Sequence, residues 1–418
     1  MSGELTPTVR DTMANPEVGP GWQLRFWSIW LGQALSLVGS ALTQFVLIWW
    51  ITDTTGSTSA LAVAGMMALL PQALLGPLGG TLADRWSRRA LMIGADTISA
   101  LCMLVLIYLF ASEQIQIWHA YVMMFIRSSM QAFQQPASAA STTMLVPRAW
   151  LPRVAGLNQM IQGVMTIAAA PLGALALAFL PLQGALALDV VTALLAIVPL
   201  FFFAIPQPQR APASQVSIWQ DFRAGLRFVT GNRGLLLLYG LVALVVMTVM
   251  PTFTLTPLLV KQHFGGGVNQ VALMEGLAGI GIIAGGLLIT VFTPFKRKIV
   301  TLLVSFAISC GTVALTALTP GDMFWLAIVW WFVSGLTFST GNAPLMALLQ
   351  EQVPNALQGR VLSLLNTTMG VAGPIGLALA ALVGEVVGVR GIFIIGGTLA
   401  ALVCVLAFAV PRLMRIAE

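Results

Sequence analysis

Residues 80–92 read GTLADRWSRRALM, a short charged segment between two long apolar segments. The apolar segments, residues 60–82 and 90–111, each have about the 20 residues that an α-helix needs to cross a lipid bilayer. Arginines between such segments resist transfer across a membrane. This stretch therefore predicts two membrane-spanning helices joined by a cytoplasmic turn.

The composition of the whole chain extends that prediction. Its 418 residues are 58% hydrophobic and 8% charged, with a mean hydropathy of +0.92, whereas soluble domains carry about 25% charged residues. So few charges could not cover the surface of a water-soluble fold. Because the apolar segments are long and lack the alternating pattern of barrel strands, we expect an all-α membrane protein.

Twelve apolar segments are long enough to cross a membrane as helices. They are residues 23–51, 60–82, 90–111, 118–144, 155–180, 185–205, 235–259, 270–292, 299–319, 323–349, 361–383 and 391–411.

Basic residues fall on one side of the predicted membrane. With the N-terminus inside, seventeen Lys and Arg residues lie on the cytoplasmic side, Lys261 and Arg390 lie outside, and Arg127 lies within a span. This asymmetry predicts a multi-pass protein of the inner (cytoplasmic) membrane with both termini in the cytoplasm. It also accounts for the net charge of +6, so we expect no nucleic-acid partner. Residues 1–21 lack the features of a signal peptide, so the first span should be retained.

The two halves of the chain repeat. VPRAWLPRVAGLNQ (146–159) and VPNALQGRVLSLLN (353–366) each have Val-Pro with an arginine six residues after the proline, and AAPLGALAL (169–177) is similar to AGPIGLALA (372–380). Such a duplication predicts two six-helix bundles related by a pseudo-two-fold axis. The expected domains are a cytoplasmic tail (1–21), a first bundle (22–205), a linker (206–234), a second bundle (235–411) and a cytoplasmic tail (412–418).

The linker holds a Pro-rich segment and then IWQDFRAGLRFV, residues 218–229. The second piece places Ile218, Trp219, Phe222 and Leu226 on one helical face, with arginines beside it. This pattern predicts a short helix lying on the cytoplasmic surface of the membrane. The alternative is a solvated linker.

The quoted loop is also the strongest local motif, a candidate gating loop. We assign to it Gly80, Asp84, Arg85, Arg88 and Arg89. Gly80 would let two helices approach closely, and Asp84 could accept hydrogen bonds from cationic partners. Arg88 and Arg89 would anchor the cytoplasmic face. The alternative is a plain basic turn without a gating role.

With twelve spans and a half-chain repeat, this loop resembles the signature loop of the major facilitator superfamily. LRFWSIWLGQALSLVGSALTQFVLIWWITDTTGS (24–57), RRALMIGAD (88–96) and FIRSSMQAFQQPA (125–137) are similar to the macrolide-efflux branch of its drug/proton antiporters. The resemblance covers residues 22–411. It implies a transporter that exports bulky amphipathic drugs in exchange for protons by alternating access. A siderophore exporter belongs to the same wider group, so one alternative is the export of a natural metabolite. Another is a facilitator without proton coupling.

Four ionisable residues lie within the predicted spans, namely Asp96, Arg127, Asp189 and Glu275. A charge at the middle of a bilayer costs about 2.5–3.5 kcal/mol on an insertion scale, so such residues mark candidate functional sites. Arg127 lies roughly 13 Å below the outer end of its span. The resemblance implies that this span lines a central cavity, where we expect Arg127 to hydrogen-bond Gln33. The alternative is that Arg127 only ties its span to a neighbour.

Proton coupling is assigned to Glu275, Arg127 and Asp189. Glu275 lies near the outer end of span eight, where a desolvated acid could exchange protons and, once ionised, attract a cationic drug or pair with Arg127. An acid at the interface is the alternative for Glu275, and a capping or interfacial residue is the alternative for Asp189. Asp96 is assigned to the gating loop as a partner for Arg85 or Arg88.

A substrate cavity should combine polar amides with aromatic side chains. Its candidate residues are Gln33, Trp30, Gln44, Gln131, Gln134, Asn158, Gln162, Phe253, Trp330, Asn342 and Asn366.

An enzyme is not expected, because no cluster of metal-ligand spacing, nucleophile motif or nucleotide-binding Gly-rich loop is visible. We therefore expect no cofactor and no metal. The expected partners are the lipid bilayer, a small amphipathic substrate and protons, and the protein should function as a monomer.

Overall fold

The structure, a computed structural model, describes residues 21–205, 218–291, 297–414 and 416. The tail 1–20 and the Pro-rich part of the linker lie outside these residues. Its α-helices are α1 (Trp22–Thr55), α2 (Thr58–Arg85), α3 (Arg88–Ala111), α4 (Ile117–Leu145), α5 (Leu151–Phe179), α6 (Leu182–Phe202), α7 (Ile218–Gly231), α8 (Arg233–His263), α9 (Val268–Val291), α10 (Lys298–Leu318), α11 (Phe324–Gln352), α12 (Asn355–Leu406) and α13 (Pro411–Met414).

The starts of α2 and α3 carry serine caps. The Ser57 side chain accepts a hydrogen bond from the Ala60 amide at the start of α2, and Ser87 accepts one from the Ala90 amide at the start of α3. Each satisfies a backbone donor that the first helical turn leaves unpaired. The quoted loop is therefore a tight junction between α2 and α3, as the sequence predicts.

Ten helical stretches among the described residues are long and apolar enough to cross a membrane. Helix α12 counts once there, although it contains two arms that meet at Gly388, whose φ of 74° and ψ of 164° interrupt the helical backbone. Helix α4 is outside this set because Arg127, glutamines and serines make it less apolar. With α4 and both arms of α12, the crossing helices are the twelve that the sequence predicts.

The predicted repeat is visible in equivalent close contacts. In α5, a Cβ on Gly173 would lie 2.4 Å from the Phe45 side chain of α1. In α12, a Cβ on Gly376 would lie 1.9 Å from the Met247 carbonyl oxygen of α8. These glycines are equivalent in the repeated sequences, and α1 and α8 begin the two halves. Helices α1–α6 form one bundle and α8–α12 form the other.

At one end of the molecule the two bundles share one apolar core, and at the other end each bundle has its own. We call the end with Trp22, Arg88 and Arg233 the basic end, and the end with Thr55 and His263 the distal end. At the distal end, one cluster of buried residues contains members of both bundles. At the basic end, a cluster from the second bundle and a cluster from the first are separate.

Polar contacts between the bundles follow the same division. Among the described residues, hydrogen bonds and ion pairs that join the bundles lie at the distal end. Lys261 is 2.6 Å from the Asp53 carboxylate, Gln262 donates to the Gly56 carbonyl at 2.6 Å, and the Glu385 carboxylate accepts from Ser57 at 2.5 Å. The molecule is thus closed at its distal end.

The linker ends in a helix, as predicted. Helix α7 begins at Ile218, and Gly225 packs against the backbone of Arg360 at the start of α12. The side chains of residues 218–222 lie outside the description, so the location of this helix on the membrane surface stays a prediction. The limits of the predicted domains also stay a prediction.

Candidate functional site

A polar cavity of about 330 Å³ lies within the first bundle. It is enclosed by α1, α3, α4, α5 and α6, which contribute both amides and two carboxylates to its wall. The volume is at the lower end of the range of about 300–1,000 Å³ for sites that bind small molecules. Its polar lining comprises Gln33, Ser36, Ser40, Asp96, Ser99, Gln131, Gln134, Gln135, Ser138, Ser141, Thr142, Asn158, Gln159, Gln162 and Asp189.

Two amides hold a carboxylate in the wall of this cavity. Gln33 Nε2 donates to Asp96 Oδ2 at 3.1 Å, and Gln134 Nε2 donates to Asp96 Oδ1 at 3.1 Å. Gln134 Nε2 also donates to Gln33 Oε1 at 2.6 Å. We call Gln33, Asp96 and Gln134 the amide–carboxylate cluster. It joins α1, α3 and α4 through side chains that lie within the predicted spans.

The expected pairing of Asp96 with a loop arginine is wrong. Asp96 is buried and its partners are the two amides of the cluster. Arg88 instead donates to the Ala140 carbonyl at 2.8 Å. Asp96 lies two helical turns beyond Arg88 along α3, and that distance separates it from the basic end.

Arg127 forms a buried ion pair with Asp189. Arg127 Nη2 lies 2.7 Å from Asp189 Oδ2, and the two side chains are 7% and 4% exposed. Ser40 Oγ donates to Asp189 Oδ1 at 3.3 Å, while Arg127 Nε has no hydrogen-bond partner among the described residues. The expected hydrogen bond from Arg127 to Gln33 is wrong, because Gln33 is engaged by Asp96 and Gln134.

Small residues on α1 explain why Asp189 is interior rather than a cap or an interfacial residue. A Cβ on Gly39 would lie 3.1 Å from Asp189 Cα, and one on Gly32 would lie 2.6 Å from the Leu195 carbonyl oxygen. Glycines therefore let α6 lie directly against α1. At this contact Asp189 points into the bundle, where Arg127 of α4 meets it.

Aromatic side chains form the part of the cavity wall nearest the basic end. Trp30 Nε1 donates to Asn158 Oδ1 at 2.8 Å, which fixes the indole of α1 against α5. The Trp30 ring lies 5.7 Å from the Trp27 ring and 6.5 Å from the Phe26 ring, centroid to centroid. Phe26 and Trp30 both line the cavity.

The predicted cavity residues divide between the bundles. Those of the first bundle that line the cavity are Trp30, Gln33, Gln131, Gln134, Asn158 and Gln162. Those outside its wall are Gln44, Phe253, Trp330, Asn342 and Asn366. Of these, Phe253 packs against Trp331, at 5.5 Å between ring centroids, and Asn366 is exposed.

Glu275 lies in α9, where this helix packs against α5 of the other bundle. A Cβ on Gly276 would lie 3.3 Å from the Pro171 ring, and one on Gly279 would lie 2.9 Å from Ile167 Cα. The carboxylate of Glu275 forms no hydrogen bond or ion pair with the described residues. The suggested pairing of Glu275 with Arg127 is therefore not present, since Asp189 is the carboxylate at Arg127.

Two arginines of the candidate gating loop, Arg88 and Arg89, bind neighbouring helices within the first bundle. Arg89 Nη2 donates to the Phe201 carbonyl of α6 at 2.9 Å, and Arg88 reaches α4 as described. The side chains of Asp84 and Arg85 lie outside the description. The role expected of Gly80 belongs to its neighbour: nothing lies within 4 Å of a Cβ on Gly80, whereas a Cβ on Gly79 would lie 1.9 Å from the Ala132 carbonyl oxygen.

Several lining residues were missed by the sequence analysis. Ser40 lies seven residues after Gln33 and so shares its face of α1, and Gln135 and Gln159 each follow a polar residue in an apolar helix. Helical spacing from Gln33 could have identified Ser40. No signal in the sequence distinguishes Gln135 and Gln159 from polar residues outside the cavity.

The chain matches the family model described as Major Facilitator Superfamily over residues 29–321 and 257–415. It is 32% identical over 396 residues to a protein named macrolide efflux protein A from Streptococcus pyogenes, covering 94% of this chain and 97% of that protein. It is 30% identical over 323 residues to a protein of the same name from Enterococcus faecalis, covering 77% of this chain and all (100%) of that protein. A multidrug efflux pump, Tap, from Mycobacterium tuberculosis is 21% identical over 402 residues, or 91% of each chain.

Solved structures share the fold at low sequence identity. A POT family transporter superposes with a TM-score of 0.70 at 12% identity, covering 94% of this chain and 96% of that chain. A bacterial homologue of the iron transporter ferroportin in an inward-facing state gives 0.67 at 16% identity, with 92% and 98% covered. At such identities the likeness concerns the fold alone.

Proposed function

Because this chain belongs to the Major Facilitator Superfamily, we propose that it exports amphipathic, macrolide-like drugs across the cytoplasmic membrane in exchange for protons. The family, together with relatives named for macrolide and multidrug efflux, already supports a drug-efflux transporter of this superfamily. Exchange of drug for protons is supported by one observation: a polar cavity with buried ionisable side chains lies inside an otherwise apolar helical bundle.

The basic end is assigned to the cytoplasm. Its described residues include arginines at or near the starts of α1, α3, α5, α8, α10 and α12, and basic residues resist translocation. The distal end is then outside, and its shared core separates the cavity from the outside medium. In this conformation a drug would enter from the cytoplasmic side, where the two cores are separate. Export requires the opposite arrangement, in which the distal contacts part and the basic ends meet.

Protons are proposed to act at Asp189 and Glu275. Asp189 lines the cavity and holds Arg127, so protonation would remove the charge that binds α6 to α4. Glu275 can exchange a proton without breaking a hydrogen bond to the described residues, and it lies where the two bundles pack through α5 and α9. Proton binding at these positions would thus alter contacts within and between the bundles.

The test uses purified protein in liposomes with an imposed proton gradient. Labelled erythromycin should accumulate above the level of protein-free liposomes when the lumen is more acidic than the outside, because protons that leave the lumen are exchanged for drug that enters it. A protonophore should abolish that accumulation. The Glu275→Gln variant keeps the shape of the side chain but cannot carry a proton. We expect it to bind erythromycin and to accumulate it only to the level of protein-free liposomes.

Glu113→Gln is the matched control, because Glu113 is an exposed carboxylate in the connection between α3 and α4. It should retain gradient-driven accumulation. Wild-type transport that is indifferent to the protonophore would contradict proton coupling and indicate a facilitator. Normal coupling in Glu275→Gln would remove Glu275 from the mechanism and leave Asp189 as the site.

A further inference from the structure

Asp96 is a buried carboxylate with amide partners but no cation beside it. The residue is 5% exposed, and its two oxygens each accept one hydrogen bond, from Gln33 and from Gln134. Neutral donors satisfy part of the hydrogen-bonding capacity of a carboxylate and leave its negative charge uncompensated. Two oxygens have about four acceptor positions, so positions remain for a further donor.

The other charged groups at the cavity cancel one another. Among the described residues that line it there are two carboxylates, Asp96 and Asp189, and no Arg, Lys or His. Asp189 is neutralised by Arg127, which lies behind it. When Asp96 is ionised, the described wall carries one unbalanced negative charge, and a ligand with one positive charge would balance it.

The carboxylate is held in position before any ligand arrives. Gln134 binds both Gln33 and Asp96, so the amides of α1 and α4 fix the side chain from α3. Trp30, three residues before Gln33, lies on the same face of α1, and Asn158 fixes its indole ring. Alkylated ammonium groups are attracted to the faces of aromatic rings, so the wall combines a fixed anion with a fixed aromatic surface.

We propose that Asp96 is the counter-ion for the protonated amine of a monocationic amphipathic substrate. Gln33 and Gln134 orient its carboxylate, and Trp30 packs against the alkyl groups of the amine. This inference rests on the proposed function and names the substrate class of the same transporter. A cavity of about 330 Å³ takes the amine-bearing part of a large drug, and the remainder extends beyond it.

The experiment measures binding to the purified full-length protein in lipid nanodiscs without a proton gradient. The probes are erythromycin, whose amino sugar is protonated at neutral pH, and a derivative in which that amine is converted to a neutral amide. Asp96→Asn should weaken erythromycin binding by about tenfold or more, because it removes the charge of a desolvated ion pair. Binding of the neutral derivative should change by less than about twofold.

Three further variants complete the test. Asp322→Asn alters an exposed carboxylate in the connection between α10 and α11 and should leave both affinities unchanged. Asp96→Glu keeps the charge and should retain part of the preference for the cationic probe. If Asp96→Asn does not fold, Gln134→Ala is used instead and should reduce that preference, because it releases the carboxylate.

Equal loss of affinity for both probes, or no loss for either, would overturn the assignment of Asp96. Because no gradient is present, a failure of proton coupling leaves this measurement intact. Conversely, proton-driven export that persists in Asp96→Asn with unchanged charge preference would refute the inference and not the proposed function.

Discussion

The ion pair between Arg127 and Asp189 is the most completely buried charge contact among the described residues. Its members come from α4 and α6, and Ser40 of α1 adds a hydrogen bond to the carboxylate. Removing two charges from water is costly, and close approach with good geometry offsets that cost only while both partners remain. The pair therefore ties three helices together, and the loss of one partner should be worse than the loss of both.

Asp189→Asn should lower the free energy of unfolding by about 3–5 kcal/mol, because it leaves the Arg127 guanidinium buried without a counter-charge. The double variant Arg127→Gln/Asp189→Asn should recover part of that loss, since no charge remains buried. Both variants should lack coupled export. Thermal unfolding in detergent measures the first effect and liposome transport the second.

Lys298→Gln is the control for this experiment. Lys298 pairs with Glu351 at the basic end, where both side chains are partly exposed, and exposed pairs contribute about 0–1 kcal/mol. Its unfolding temperature should be close to that of the wild type. A double variant as unstable as Asp189→Asn would contradict the view that the uncompensated charge causes the loss.

At the scale of residues, the sequence predicts how deep a side chain lies in the membrane better than it predicts which residues that side chain contacts. Arg127 and Asp96 were identified as charges inside spans because their positions along apolar segments are countable. Which residues they contact depends on how far each helix is rotated about its axis. That rotation is set by the glycines of α1 against α6, which bring Asp189 to Arg127, and no periodicity in α6 reveals it.

At the scale of elements, close helix contacts are made by glycines at equivalent places in the two halves. Gly79 brings α2 against α4, and in the second half Gly285 brings α9 against α11, where a Cβ would lie 2.2 Å from the Leu336 carbonyl oxygen. Gly173 and Gly376 do the same for α5 with α1 and α12 with α8. Small residues of this kind let membrane helices pack closely.

Gly376→Ala should separate α12 from α8, because the new methyl group would lie 1.9 Å from the Met247 carbonyl oxygen, a backbone atom. Overpacking of this kind costs about 1–3 kcal/mol. We expect a lower unfolding temperature and slower drug export.

The matched substitution is Gly370→Ala on the same arm of α12. A Cβ there would be 3.6 Å from Ala73, an ordinary contact, and alanine favours the helix over glycine. Stability should be unchanged or slightly higher. Equal effects of the two substitutions would mean that helix propensity, rather than the contact with α8, governs stability at Gly376.

Elements were largely predictable because apolar length and turn residues are local properties. The predicted span 90–111 corresponds to α3 at Arg88–Ala111, and the predicted linker helix begins at Ile218. The near-absence of a connection between the last two spans was not predicted. It depends on the backbone of Gly388, and the sequence there, VVGVRG, does not distinguish a one-residue reversal from a short loop.

At the scale of the whole molecule, the two bundles share a core at the distal end and have separate cores at the basic end, as the proposed alternating access requires of a state that is open to the cytoplasm. The distal contact is polar at its rim and apolar beneath. Ser59 Oγ donates to the Ala381 carbonyl at 2.6 Å, and Gly384 packs against Thr58, so α2 meets the first arm of α12 along several residues. Export by alternating access requires this contact to open in every cycle.

Linking the two bundles at that contact should stop transport. In a Ser59→Cys/Ala381→Cys variant, a short, reducible thiol cross-linker should abolish export, and a reductant should restore it. The native cysteines Cys102, Cys310 and Cys404 are all buried and should not compete for the reagent. Gel mobility after proteolysis of the linker reports the cross-link, and liposome transport reports its effect.

A second cysteine pair at the same end serves as the comparison. Tyr121 Oη donates to the Ala60 carbonyl at 2.9 Å, so Ala60→Cys/Tyr121→Cys would link α2 to α4 within the first bundle. Cross-linking this pair should leave export largely intact. Full transport after cross-linking Ser59→Cys to Ala381→Cys would show that the distal ends need not part.

The other connections at the distal end are short, as is the one at Gly388. The connections there are residues 56–57, 112–116, 180–181, 264–267, 319–323 and the single residue 388. An antibody epitope comprises about 20–30 residues, far more than any one of these turns offers. An antibody raised against intact cells would have to cover turns from both bundles together, and it would therefore recognise the closed molecule and hold it in that state.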